Sequence, residues 1–572
     1  MAKEKVKVEY DVDIEKEKRK KQKKGGKSVT TGKLGKINVI FLILLVVFEG
    51  ILYYFVTPAI NIHVKGFWTW IAVTLVALIF CTFDFRAERI FKLNRNAKSG
   101  GFTSGTKVFA ILFGVCFAVI VIGGIASSKL VNASKYAGII EIQEGNFETD
   151  VPESENISNI ALMDTDSARI IGERAIGSLS DVVSQYQVSE TYSTIDYNGV
   201  PMKVAPLEYA GFFKYMNNKD AGIPGYVLVD PVKNEANYIK LDQAMKYSPS
   251  ACFGQNLQRH VQLSYPTYEF NGFYFELDNE GNPYYICPVL QANAGLFGAK
   301  DVKGIVICDP CSGDCEYMTV ENVPNWVDRV YDGDLACQKY NWYGMLSGGF
   351  WNSIIGNKGC KVTTDDYGYK VMDGDVWVYT GVTSVNGDQS NIGFVLMNSR
   401  TAESKYFSIA GAEEHSAMSS AEGQVQHLGY TASFPSLINI GNVPTYIMVL
   451  KDNAGLVKMY ALVNVEKYSI VATGTTQKEA LTSYRKLLAE NEIAVSGNEI
   501  AEDVPSKRIT VEKIRYITVD GETYVYITAK DRSVYKQNFA DNENLIFIEE
   551  GDVITVHYIE SEDGAHNLLS FE

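Results

Sequence analysis

Residues 37–56 read INVIFLILLVVFEGILYYFV, twenty positions with one charged side chain, Glu49. In hydrocarbon a backbone must satisfy its own hydrogen bonds, and a helix of this length covers the roughly 30 Å of a bilayer core at about 1.5 Å per residue. Two more such runs follow, FWTWIAVTLVALIFCTF over 67–83 and VFAILFGVCFAVIVIGGIA over 108–126. Together they predict a three-helix membrane anchor over residues 37–129. The first run begins late and no small-residue cleavage site separates it from the second, which argues against a signal peptide.

Basic residues set the expected orientation. Residues 1–36 form a basic tail containing EKEKRKKQKKGGK, and the segment between the second and third runs carries Arg86, Arg89, Lys92, Arg95, Lys98 and Lys107, whereas the first connection has only Lys65. The expectation is a multi-pass cell-membrane protein with a cytoplasmic N-terminus and everything after about Lys129 extracytoplasmic. Charge divides the same way: residues 1–130 carry a net charge of about +12 and the remainder about −27.

Beyond residue 160 the chain repeats itself. Gly225, Asp230 and Tyr238 are spaced as Gly304, Asp309 and Tyr317 are, and as Gly393, Asn398 and Tyr406 are; a weaker copy runs from Asn442 to Val471. In each copy a helical stretch precedes an aromatic or β-branched run, a turn such as DYNG or MDGD, a strand, and a second hairpin. The predicted fold class is α+β: three transmembrane helices, then tandem helix-plus-antiparallel-sheet repeats over 160–245, 246–325, 326–410 and 411–495, then a small C-terminal β-barrel. That barrel, over 506–572, is read from five or six short strands and is expected to be OB- or SH3-like. Its acidic surroundings exclude nucleic acid, because phosphate binding needs Lys and Arg.

The G-x-V-x-x-D strand running into a turn, with Val306, Asp309 and Gly313, resembles the PepSY family of extracytoplasmic α+β modules. The resemblance spans about 160–480 and implies a binding or inhibitory element tethered to a membrane.

KGIVICDPCSGDCEY, over 303–317, places three cysteines in eight residues. Aligned on the other copies, Cys308, Cys311 and Cys315 decorate a hairpin that forms without them. Zinc would want a fourth Cys or His, and none of the six histidines is close in sequence, although Cys252, Cys287, Cys337 or Cys360 could approach in space. An oxidising compartment favours disulfides instead, with Cys308 and Cys315 facing each other across the turn. CDPC on a turn does not match a thioredoxin-like motif, which needs a helix N-terminus.

Glu49, costly within a membrane helix, is either a functional carboxyl or one hydrogen-bonded inside a helix bundle. His415 among Glu413, Glu414 and Glu422 reads as a helix face, and Asn386, Asp388 and Asn391 lack the closing glutamate of a calcium loop. With no phosphate loop, catalytic triad, paired carboxylates or metal signature, no catalytic, cofactor-binding or metal-ligating residue is expected. The function expected is a non-enzymatic scaffold or regulator that binds a protein or wall component outside the membrane. The alternative is an envelope enzyme with its site around the third repeat.

Overall fold

The structure, a computed structural model, describes residues 36–83, 103–154, 160–385, 390–491, 493, 505–519, 522–539, 543–559 and 564–571. Most of the basic tail, the basic connection after Phe83, and Asn386 and Asp388 lie outside the described residues.

Four helices open the chain: α1 (Lys36–Val56), α2 (Lys65–Thr82), α3 (Ser104–Ala126) and α4 (Lys129–Ala137). The expected three-helix anchor is corrected here. By length and composition two helices, α2 and α3, can cross a membrane, and the apolar part of α1 that meets the same reading, Ile40–Val56, is shorter. Helices α2 and α3 are stitched at one end, where the Thr103 hydroxyl donates to the Thr82 carbonyl (3.0 Å) and Thr106 Oγ1 donates to Thr82 Oγ1 (3.2 Å). Glu49 of α1 is satisfied by α2, accepting from Trp70 Nε1 and Thr74 Oγ1 at 2.9 Å each.

The opposite ends of these helices bond to the 246–325 region. The Ile60 amide donates to the Pro266 carbonyl (2.7 Å), and Asn61 Nδ2 to that of Thr267 (2.9 Å). Ser127 Oγ, at the end of α3, accepts the amides of Leu296 and Phe297, each at 2.8 Å.

Sheets dominate the rest. Four antiparallel sheets are built from strands within 186–245, 269–319, 361–412 and 431–474, and five strands over 506–571 close on themselves as a barrel. The repeated residues explain why each sheet forms. Tyr238, Tyr317 and Tyr406 pair with Val227, Val306 and Val395, each two residues beyond the repeated glycine. Each tyrosine therefore lies diagonally across its glycine on the neighbouring strand. A Cβ on Gly225 would meet the Tyr238 ring at 2.7 Å and the Ile239 carbonyl oxygen at 2.1 Å, and Gly304 and Gly393 face the same crowding from Tyr317 and Tyr406. Tyr406 also donates to the Ile392 carbonyl (2.9 Å). In the fourth sheet Tyr460 takes the same place opposite Val449, with Ile447 where the others have glycine.

The repeated acidic or amide residue closes the next turn. Asp230 Oδ1 accepts the amides of Val232 and Lys233 (3.0 Å each), and Asn398 Oδ1 those of Arg400 and Thr401 (2.9 Å each). Asp309 does the same for Cys311 at 2.7 Å, and Asp452 for Ala454 at 2.9 Å. These are Asx turns, in which the side chain supplies an acceptor that the backbone lacks.

The expectation of helix-on-sheet units following one another is also corrected, because the sheets share cores in pairs. Leu207, Val227 and Val229 of the first sheet pack in one cluster with Val289 and Val306 of the second and with Val261 of α6 (Leu257–Ser264); α5 (Thr165–Gly177) joins it through Ala168 and Ile176. Phe394 and Phe407 of the third sheet pack with Tyr446 and Met448 of the fourth, and α8 (Glu414–Gln424) lies in the same core through Ala417 and Ala421. On the outer face of the third sheet sits Tyr340 of α7 (Gly333–Leu346). On that of the fourth sit Tyr484 and Leu488 of α9 (Gln477–Glu490), one apolar stripe of an amphipathic helix. The segment after α4 crosses to the second pair before the first pair is built: Gln143–Glu144 runs parallel to Lys405–Tyr406, and Asn439 Nδ2 donates to the Val151 carbonyl (3.1 Å).

Replacing Gly304 or Gly393 by alanine forces an added methyl into a tyrosine ring and a backbone oxygen, and is expected to destabilise by about 1–3 kcal/mol. Gly177, whose added Cβ would meet nothing within 4 Å, should tolerate alanine with no loss. Urea unfolding midpoints of the three variants check the difference.

Candidate functional site

The cysteine hairpin is set by its turn. The amide of Asp309 donates to the Asp314 carbonyl (2.9 Å) and that of Gly313 to the Asp309 carbonyl (2.8 Å). Gly313 has φ of +88°, and a Cβ there would sit 2.4 Å from the Tyr247 ring, so only glycine fits. The Pro310 carbonyl accepts the amides of Lys246 and Tyr247 (2.8 and 2.9 Å), fastening the turn to the end of the first sheet.

Cys308 and Cys315 pair directly across the two strands. All nine cysteines are free thiols, so the expected disulfide is corrected: Cys308 Sγ lies 3.9 Å from the Asp309 carbonyl oxygen and Cys315 Sγ 3.5 Å from that of Gly313. Cys311 points away and donates to the Gln243 carbonyl (3.2 Å). The third member of the cluster is His260, on α6, whose ring reaches the same space. Donor atoms of His260, Cys308 and Cys315 all lie within 4.8 Å of one another. Asn256 caps α6 by accepting the Arg259 amide (3.1 Å), and the Tyr247 ring lies 4.2 Å from the imidazole, centroid to centroid. His260 Nε2 is 2.6 Å from the Gly313 carbonyl oxygen, which can only accept, so Nε2 carries a proton.

The electrostatics follow from these contacts. A hydrogen bond from Cys308, assisted by His260, brings the Cys315 thiol down to about 6 against the opposing effect of burial. Its counterpart Cys308, which supplies the proton and is buried, moves far upward. The hydrogen bond with Cys315 raises His260. Burial, then Asp309, pushes Cys311 up to about 12. The cluster therefore favours negative charge on Cys315, beside a His260 whose protonated form is favoured and a Cys308 that keeps its proton.

A second feature lies where the first, third and fourth sheets meet. A cavity of about 430 Å³ is walled by Ile160, Leu162, Met163, Pro201, Val371 and Phe434 and carries two lysines, Lys203 and Lys370. Lys203 Nζ donates to Thr194 Oγ1 and Lys370 Nζ to the Leu437 carbonyl, each at 3.2 Å. Among the described residues neither has a carboxylate partner at ion-pair distance. Asp164, also on the wall, is engaged by Lys451, and Asp366 is exposed and binds the Tyr367 amide (2.8 Å). Burial lowers both Lys203 and Lys370 to about 8.

The repeat positions singled out in the sequence lie in turns and cross-strand contacts, and only Cys308 and Cys315 of the named residues enter a cluster that could do chemistry. His260 was missed because it stands 53 residues before Gly313 on a different element. No sequence pattern marks it. Lys203 and Lys370 gave no signal either, since each is one lysine within a strand.

No family model matches the chain, and no curated protein matches it. Among solved structures, an alpha-L-arabinanase mutant from Cellvibrio cellulosa is similar at 12% identity over 64% of this chain and 91% of that one, with a TM-score of 0.14. A likeness of that size shows neither fold nor activity.

In reduced, metal-free protein, Cys315 is expected to react with iodoacetamide at a rate that follows a group ionising near pH 6, because the thiolate is the nucleophile. Removing the imidazole in His260→Ala should move that profile toward the ordinary thiol range. A Cys315 rate that rises only near pH 9 in the unmodified chain would contradict the hydrogen-bonded thiolate.

Proposed function

We propose that this chain is a membrane-anchored, non-enzymatic binding protein whose sheets lie outside the membrane and whose cavity takes a carboxylate- or phosphate-bearing envelope component with an apolar part. The cavity carries this reading: among the described residues its two ammonium groups have no carboxylate at ion-pair distance, the wall Asp164 being taken by Lys451, and they share the cavity with apolar and hydroxyl side chains; such groups are costly until an anion joins them. An apolar body would cover Leu162, Met163, Val371 and Phe434 while its anionic head meets Lys203 and Lys370.

The membrane part rests on α2 and α3 as an antiparallel hairpin. Their ends near Lys65 and Ala126 both meet the 246–325 region, and positive-inside logic leaves the basic segment 86–107 in the cytoplasm. Apolar side chains surround that exit. Leu130 and Val131 are exposed on α4, and Phe253, whose carbonyl accepts from Arg259, stands beside Phe212, which in turn meets Phe213; Phe213 is 79% exposed. Arg259 itself donates to the Tyr54 carbonyl (2.7 Å) and stacks over that ring, tying α6 to the end of α1. The resemblance of the hairpins to PepSY modules agrees with a tethered binding element.

With the full chain in detergent at pH 7, hexyl phosphate is expected to raise the thermal unfolding midpoint while hexanol, with the same tail and no charge, leaves it unchanged. The Lys203→Met, Lys370→Met double variant should lose the response. Equal responses to the two probes would overturn the reading. The sign with pH is fixed: both lysines are protonated below about 8 and neutral above it, so the hexyl phosphate effect should fade between pH 7 and 9. The unfolded chain keeps these protons to about 10.5. The burial penalty is therefore fully present below pH 8 and shrinks as pH rises toward 10.5, so the double variant should be the more stable protein at pH 7 and lose that advantage by pH 10.5.

Topology is checked separately on intact cells with a membrane-impermeant maleimide. In a background whose native cysteines are replaced by serine, a cysteine placed by Asp242→Cys should label without lysis, and one placed by Lys98→Cys only after it.

A further inference from the structure

We infer that His260, Cys308 and Cys315 form a binding site for a single zinc-class cation, held by two thiolates and one imidazole with the fourth position left to solvent or a ligand. The proposal is independent of what the cavity binds.

Three observations carry it. The first is placement: donor atoms from three residues on two different elements converge within 4.8 Å of one another. Ligands about 2.0–2.3 Å from a tetrahedral ion lie somewhat closer to each other than that, so a small contraction suffices. The second is the donor set. Thiolate with imidazole suits zinc and related thiophilic ions and disfavours magnesium and calcium, which prefer oxygen. Two thiolates and a neutral imidazole also cancel the charge of a divalent ion, which a half-buried site requires.

The third is support around the ligands. The Gly313 carbonyl holds His260 Nε2 at 2.6 Å, and the Tyr247 ring lies against the imidazole. Contacts of this kind orient metal-ligating histidines. The Cys315 carbonyl accepts from Tyr265 (3.0 Å), and the Asx turn of Asp309 sets the hairpin that brings both sulfurs together. Cys308 is fully buried while His260 and Cys315 remain partly exposed, which leaves an entry path on one side. The other two cysteines near by donate to carbonyls elsewhere: Cys311 to that of Gln243, and Cys287 to that of Tyr285 at 3.7 Å.

Binding replaces protons with metal. The cation takes the sulfur lone pairs of Cys308 and Cys315 and the lone pair of one ring nitrogen of His260, and the protons that the thiols and that nitrogen held pass to solvent. No oxidant or reductant is involved.

The test uses the full chain in detergent, reduced and stripped of metal by a chelator, then titrated with Zn²⁺ and, for its spectrum, with Co²⁺. The expected result is one metal per chain by elemental analysis, with a thiolate-to-cobalt charge-transfer band and the visible bands of a four-coordinate ion. His260→Ala and Cys315→Ser should each weaken binding at least 10-fold, while Cys311→Ser, which leaves the hairpin intact, should bind as the unmodified chain does. Retention of far-ultraviolet circular dichroism shows that the variants fold. The proposal is overturned by absence of stoichiometric metal, by binding that survives Cys315→Ser, or by equal loss in Cys311→Ser. It is also overturned if protein purified without reductant carries a Cys308–Cys315 disulfide, two hydrogens lighter by mass, that persists with Zn²⁺ present during expression.

Discussion

A tyrosine ring laid across a glycine on the neighbouring strand is the contact on which the sheets of this protein depend. Gly225, Gly304 and Gly393 leave room that no other residue would leave, because an added Cβ would strike both the ring and a backbone oxygen. The ring covers backbone that glycine exposes, and the valine two residues on pairs directly with the tyrosine. Five residues after each glycine, an Asp or Asn folds the following turn through its side-chain oxygen. Spacing of this kind fixes strand register, and a slip by one residue would turn each apolar face to solvent. The fourth sheet keeps the aspartate and the tyrosine and replaces the glycine by Ile447, so the turn and the pairing survive without the close approach.

From that local rule the larger arrangement follows only in part. Each sheet has two faces and each must be covered. The first and second sheets meet in one core and the third and fourth in another. Joining them, the segment around Gln143–Glu144 and Val151 ties the chain leaving α4 to the distant pair. Both candidate sites are by-products of this packing. The cavity exists where three sheets meet, and the thiol cluster exists because α6 packs on the hairpin that carries the cysteines. The same helix turns Arg259 toward the end of α1, so the cluster and the contacts with the apolar helices share one short element.

Legibility differed sharply between these levels. The repeat spacing and its turns could be read because they are local, with partners fewer than twenty residues apart. The three apolar runs were also plain, yet length and composition leave α2 and α3 as the helices able to span. Glu49 shows why a carboxylate within an apolar run is ambiguous in sequence: whether it is free or satisfied depends on Trp70 and Thr74 of the next helix. The cysteines were read as a disulfide from their compartment and their cross-strand placement. The pairing across the strands is present, while the thiols stay free and His260 supplies a partner that no spacing announces.

What the sequence determined by itself is short-range: apolar runs that only helices can carry through hydrocarbon, and glycine, aspartate and tyrosine at spacings that dictate hairpins. Those features depend on backbone geometry and on neighbours along the chain. Tertiary structure alone decided which sheets share a core, where Lys203 and Lys370 lose part of their solvent, and which histidine meets Cys308 and Cys315. The reason is physical. Burial and ligand geometry belong to side chains brought together from separate elements, and their energies appear only once the elements have packed.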